Sequence, residues 1–432
     1  MNATPAAPSD SVGHSLLRAI GPGILLAAVA VGASHLVQST RAGAEYGTGL
    51  MFVVLLAMAA KYPAYRFAPR YTAATGASMI EGFSRQGSWA LWIFMISTFG
   101  TVFVGGAAIT MVAAGILKAT FSMAASPSVI AIGLLGVTAA ILIIGHYHWL
   151  DLLMKPLMMG LCIATVIAAA LVLPRIDWAF SGKLLPDAFD VRTILFMVAF
   201  FGWMPAPLEA AVIHTLWSQA KARDIGYRPS TRESTIDFHI GYIGILFLAI
   251  CFVLLGAGLM HGRALSFQDS AGGFAAQVID LFAQTLGGWT RPFIGIMAFS
   301  VMYSTVIAHL DGFSRIIDAI IWHFQSGGDP RAEWATATRR KFYSGALLFL
   351  CSGITIVILF FMTSFKTLID ISASIAFVST PIFAILIHRA MISHDVPQDL
   401  KPGKAMAWYS VLCILLLIAF ALGYIVMLSK IN

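Results

Sequence analysis

Charge is what this sequence has least of. Only 11% of its 432 residues are Asp, Glu, Lys or Arg, against roughly 25% in soluble domains, and that shortage excludes a free-standing globular domain with a solvated surface. Cysteine is scarce too. Cys162, Cys251, Cys351 and Cys413 each fall in a different apolar stretch, without metal-ligand spacing or an evident pairing, so they read as small apolar fillers. There is no glycine-rich phosphate loop and no nucleophile in register with a base. An enzyme is therefore not expected, and neither is a cofactor.

What is present is hydrophobic: 59% of the chain. Runs of about 20 residues, the length that crosses a bilayer core, recur at about 19–45, 48–68, 89–118, 128–146, 152–174, 192–221, 238–260, 292–323, 342–363, 367–390 and 406–428. They predict an all-α membrane protein of eleven transmembrane helices. Residues 1–17 read as a flexible cytoplasmic tail, and residues 18–432 as a single transmembrane unit, with no connection long enough for a further domain.

The net charge of +7 does not indicate a nucleic-acid partner, because the cations are scattered through short connections rather than gathered on one face. Orientation explains them. Connections on the N-terminal side, with Arg66, Arg70, Lys221, Arg223, Arg339 and Arg340, carry about twice as many cations as the other side. The N-terminus is thus expected in the cytoplasm and the C-terminus outside.

Two of the apolar runs are interrupted midway. The first holds Gly32-Ala33-Ser34-His35 and the sixth Met204-Pro205-Ala206-Pro207. An unwound backbone at membrane depth is tolerated only where it is buried in protein or lines a cavity, and paired breaks in two halves of a chain point to a transporter's binding site. The glycine lowers helix propensity and permits close backbone approach; the prolines remove two donors. Runs one to five (about 18–174) and six to ten (about 191–391) then form inverted repeats of the LeuT-like 5+5 plan with broken helices 1 and 6, and about 406–428 is an added helix.

With Gly21-Pro22-Gly23, Ala42-Gly43-Ala44-Glu45-Tyr46-Gly47 and Met204-Pro205, nearly the whole chain resembles the NRAMP divalent-metal transporters. The resemblance implies a secondary transporter, a symporter of a bacterial plasma (inner) membrane, carrying a small cation by alternating access. It places the family's Asp-Pro-Gly-Asn ion motif on Gly32, Ala33, Ser34 and His35, so the carboxylate is gone. It also implies Met204 as a thioether ligand and Phe201 as a carbonyl donor, with Ala206 and Ala211 where histidines are usual. The third run has no Asp or Glu between Ser88 and Lys118, which removes the family's proton route. Atypical selectivity follows, since a divalent ion leaving water needs hard donors or compensating charge.

His35 and Met204 are therefore the candidate metal ligands. His35 is an ionisable group at membrane depth, a functional hypothesis by default; the alternative is a neutral ring donating to a freed carbonyl. Met204 is otherwise plain packing beside Trp203. Glu209, just past the second break, either replaces the lost carboxylate or makes a structural bond at a helix N-terminus. Gln38 is placed to line a vestibule. Asp311 and Arg315, one helical turn apart, form a gate or a static pair, and His309 belongs to the same polar run. Arg41 and Glu45 have the same spacing. His146, His148 and Asp151 make an H-x-H-x-x-D cluster that a membrane metalloenzyme would use, though flanking Tyr147 and Trp149 read as an interfacial belt.

The expected partners are the bilayer and a small-molecule or ion substrate; oligomeric state is left open. An amino-acid-like organic solute is the alternative substrate, and a non-transporting sensor a third reading.

Overall fold

A computed structural model describes residues 21–145, 147–176, 190–262, 268, 270–326, 336–361 and 365–431; the expected tail at 1–17 lies outside them. Among the described residues every regular element is helical. The first apolar run begins as α1 (Pro22–Ala30), continues as a π segment (Val31–Ser39) and ends as α2 (Thr40–Tyr46). Next come α3 (Met51–Thr75), α4 (Met79–Ser84), α5 (Ser88–Phe121), α6 (Pro127–Ile144) and α7 (Tyr147–Val172). The sixth run is two helices, α8 (Val191–Trp203) and α9 (Glu209–Asp224). The rest are α10 (Thr231–Leu259), α11 (Ala271–Leu286), α12 (Arg291–Gln325), α13 (Thr336–Ile356), α14 (Phe365–Ile392) and α15 (Lys404–Ile431).

Local chemistry sets several of these boundaries. Asp190 accepts the Thr193 N–H at 2.8 Å and opens α8, as an N-cap carboxylate does. Ser230 and Glu233 form a reciprocal capping box at the start of α10. Gly76, with φ +78°, ends α3 in the left-handed conformation that glycine adopts without a Cβ clash.

Eight helices among the described residues are long and apolar enough to cross a membrane. The first, fifth and sixth runs are not among them. The first and sixth are divided by their breaks, and the fifth is the 26-residue helix α7. The sequence reading assigns no helix between the seventh and eighth runs, yet α11 lies there and packs on α5. Its buried Phe274, Ala275, Val278, Ile279 and Phe282 recur at three- and four-residue spacing on one face, and at 16 residues the helix is shorter than a membrane span.

α10 crosses α1, the π segment and α2, while α14 packs on α8 and α5. The α2–α10 crossing brings backbone against backbone. A Cβ on Gly43 would lie 2.0 Å from the Val253 carbonyl oxygen, and one on Gly256 2.1 Å from that of Thr40. Small residues at such crossings are how membrane helices gain van der Waals contact without a hydrophobic driving force. Both interrupted runs are thereby held inside the bundle, among α3, α5, α10, α12 and α14.

Candidate functional site

The two breaks differ in kind. The first run has no proline in its interruption, so every N–H is retained and the chain widens rather than unwinds. The Thr40 N–H reaches the His35 carbonyl five residues back, the spacing of a π turn, a form frequent at functional sites. This corrects the expectation of an unwound backbone at Gly32-Ala33-Ser34-His35. Gly32 is pressed against α12, and a Cβ there would meet Thr305 Oγ1 at 2.2 Å. The sixth run does unwind. Met204 is extended (φ −92°, ψ 126°), Pro205 and Pro207 supply no N–H, and the helix resumes at Glu209.

Unwinding frees carbonyls that hydrocarbon cannot satisfy, and neighbouring side chains take them up. On α3, Lys61 donates to the carbonyls of Phe201 and Gly202, both at 2.8 Å. One turn further along, the Tyr65 hydroxyl lies 2.9 Å from the carbonyls of Ala206 and Pro207. Between them, the Ser34 hydroxyl lies 2.8 Å from the Pro205 carbonyl. Residues four apart share one helix face, so α3 clamps the break from both ends while the π segment holds its middle.

Two of the expected ion ligands, the Phe201 carbonyl and His35, are engaged by protein groups. The Phe201 carbonyl is engaged by Lys61 instead of standing free. His35 is wholly buried; its Nε2 donates to the Ile245 carbonyl at 2.9 Å and its Nδ1 faces the Ser34 hydroxyl at 2.8 Å. A carbonyl can only accept, so Nε2 carries the proton and neither ring nitrogen points into open space. Met204 is fully buried. Gln38 is also buried, and neither its amide nitrogen nor its oxygen has a hydrogen-bond partner among the described residues.

A different group does converge. A cavity of about 70 Å³ is lined by Ser34, Thr101, Trp203, Ala206, Glu209, Thr305 and His309, among mostly apolar neighbours. Glu209 Oε1 accepts from the Thr101 hydroxyl at 2.7 Å. Its Oε2 is buried and has no hydrogen-bond partner among the described residues. His309 donates from Nε2 to the Val102 carbonyl at 3.0 Å. The cavity thus joins both breaks to α5 and α12, with one carboxylate oxygen uncommitted.

Asp311 and Arg315 are paired at 2.8 Å. Asp311 also accepts from Trp217 Nε1 at 3.1 Å and the Tyr343 hydroxyl at 2.8 Å, so it ties α9, α12 and α13 together. Arg41 pairs with Glu45 at 2.9 Å and with Asp370 of α14 at 2.6 Å, and its guanidinium lies 4.5 Å from the Phe196 ring centroid. His146 lies outside the described residues, as do the side chains of His148 and Asp151. Among the described residues no group of three or more His, Cys, Asp or Glu is placed to hold a metal ion.

Sequence reasoning missed Lys61, Tyr65, Asp237 and Asp370. For Lys61 the signal was present: a lysine inside the second apolar run, where intramembrane charge is functional by default. Asp237 explains the Gly21-Pro22-Gly23 motif, because its carboxylate accepts the Gly21 N–H at 3.0 Å and the Gly23 N–H at 2.7 Å. No spacing rule links residues so far apart in sequence.

This arrangement of interrupted helices inside a helical bundle is the LeuT-like fold of membrane transporters. Solved structures agree. A mutant of the manganese transporter of Eremococcus coleocola superposes with a TM-score of 0.71 at 14% identity, covering 97% of this chain and 88% of that one. Mhp1, a nucleobase-cation-symport-1 family transporter with bromovinylhydantoin bound, gives 0.56 at 14% identity over 97% and 95%. MhsT in complex with L-phenylalanine gives 0.58 at 13% identity over 92% and 98%.

Sequence comparison is more specific. The model of the Nramp family, described as natural resistance-associated macrophage protein-like, matches residues 23–427, and the chain belongs to that family, whose members are transporters and not enzymes. An uncharacterized protein of Pasteurella multocida (strain Pm70) is 32% identical over 419 residues, 96% of this chain and 93% of that protein.

Proposed function

We propose that this chain is an Nramp-type secondary transporter that moves a small cation, by family a metal ion, by alternating access, with selectivity unlike that of carriers with an Asp ligand. Eleven crossings in two inverted repeats, about 18–174 and 191–391, with an added helix at about 406–428 and a cytoplasmic N-terminus in a bacterial inner membrane, complete the reading. The observation that carries it is Glu209. A buried carboxylate with one oxygen held by Thr101 and the other uncommitted is the anionic donor lining the cavity between the breaks. The Thr101 hydroxyl orients it at the α9 N-terminus, Ser34 and Thr305 line the same cavity, and a cation there meets hard oxygen donors. Gly32, Ala33, Ser34, His35 and Ala206 shape the site, and Asp311 and Arg315 link the second half of the sixth run to α12 and α13.

A second reading, an organic solute such as an amino acid, is favoured by Lys61. Lys61, buried on α3 against the carbonyls of Phe201 and Gly202, and Glu209 give the break groups of both signs, as a zwitterion would require, and the cavity wall is largely apolar. Uptake of Mn²⁺ and Mg²⁺ into proteoliposomes, with and without a pH gradient, separates the two. Saturable flux that falls at least about tenfold in Glu209→Gln, the scale of one lost charge-assisted contact, supports the cation reading. Flux unchanged by that substitution removes Glu209 from the site. Absence of flux for both ions moves the assignment to the organic solute.

A further inference from the structure

Lys61 has a larger role than satisfying two carbonyls. The last turn of a helix leaves carbonyls without intrahelical partners and carries the negative end of the macrodipole. In transporters with discontinuous helices, such C-terminal half-helix ends are where mobile cations are coordinated. Here the end of α8 faces an ammonium instead. Lys61 is 0% exposed, donates to the carbonyls of Phe201 and Gly202 at 2.8 Å, and lies 5.3 Å from the Phe201 ring centroid.

Lysine is almost never fully buried unless it is paired. Its ammonium is spent on two backbone carbonyls in a site closed to solvent. Tyr65, one turn along α3, fixes the same helix face to the far end of the break. The ammonium is therefore held in place and not merely stored there.

We propose that Lys61 is a tethered cation occupying the cation-binding end of α8, and that it is a specificity-determining residue which closes this end to mobile metal ions. An ion arriving at the Phe201 carbonyl would find the oxygen committed and a like charge beside it. Removing the ammonium uncovers the Gly202 carbonyl and one side of the Phe201 carbonyl, whose oxygen also accepts the Met204 N–H at 3.2 Å, beside the Met204 thioether, the soft donor of the set.

The test is Cd²⁺ titration of the purified full chain in detergent, read by calorimetry and by melting temperature, for wild type, M204A, K61L, K61R and K61L/M204A. The expected result is a wild-type response that M204A leaves unchanged, a gain of at least about tenfold in Cd²⁺ affinity in K61L, loss of that gain in K61L/M204A, and wild-type behaviour in K61R. K61L that folds and binds Cd²⁺ no better than wild type overturns the proposal. So does saturable Cd²⁺ binding by wild type that M204A abolishes, a comparison that stands even if K61L fails to fold. No arm measures uptake, so a failure of the Glu209 assignment leaves this result readable.

Discussion

Replacing Asp237 by Asn tests how the first interrupted run is anchored. The two carboxylate oxygens accept the N–H groups of Gly21 and Gly23 at 3.0 and 2.7 Å, and Pro22 between them has none to offer. These are first-turn donors of α1, which no helical carbonyl can reach. An amide keeps one acceptor and turns an NH₂ toward the other donor, so one bond is lost. Hydrogen bonds to charged groups contribute about 1.5–3 kcal/mol each. The expected loss is thus about 1.5–3 kcal/mol for Asp237→Asn and about 3–6 kcal/mol for Asp237→Ala.

Unfolding entropy of roughly 2.1 cal/mol/K per residue gives roughly 0.9 kcal/mol/K for a chain of this length. The melting temperature should therefore fall by about 2–3 °C in the Asn variant and about 3–7 °C in the Ala variant. Tryptophan fluorescence during heating in detergent reads this, with the exposed Asp399→Asn as a control that stays within about 0.5 kcal/mol. If Asp237→Asn melts with wild type, or Asp237→Ala is no worse than Asp237→Asn, the carboxylate clamp is not what holds the start of α1.

The π turn makes its own demand on Gly32. Gly32→Ala places a Cβ 2.2 Å from Thr305 Oγ1 and 2.9 Å from its Cβ, an overpacking cost of about 1–3 kcal/mol; Thr305→Ala in the same chain should relieve part of it and Thr305→Gly more, and a thermal melt showing no rescue by either would refute the contact. At the second break, Tyr65→Phe keeps the ring and deletes the hydroxyl that serves the carbonyls of Ala206 and Pro207. The expected cost is about 1–3 kcal/mol for buried acceptors left unpaired, and equal melting of the variant and wild type would show that the break does not depend on that hydroxyl.

Much of the architecture was legible because it rests on local chemistry. The apolar runs were long, and Pro205 and Pro207 forced a stop that the chain obeys at Trp203. The first break was only half legible: Gly32 marked the place, but glycine permits a widened turn as readily as an unwound one, and without a proline every N–H there stays available for a π turn. At the site, Glu209 and Ser34 were within reach of sequence reasoning because they adjoin the breaks. Phe201 shows the limit. Its carbonyl was singled out by the family resemblance, three residues before Met204, yet the group that meets that carbonyl comes from α3, 140 residues earlier. The Arg41–Glu45 pair followed from helical spacing, whereas the partner Asp370 lies on α14. Long-range polar pairs leave no periodic trace.

The clamp at the start of α1 also fixes an order of events during synthesis. Gly21 and Gly23 leave the ribosome 216 and 214 residues before Asp237, which at roughly 5–20 residues per second is a wait of about 10–40 s. Through that interval the leading N–H groups of the first helix are unmet by their eventual partner. The second break has the opposite history, since Lys61 and Tyr65 are already in place when Met204 and Pro205 emerge. The first half of the chain is thus the template on which the second half unwinds, and the second half returns the carboxylate that completes the first.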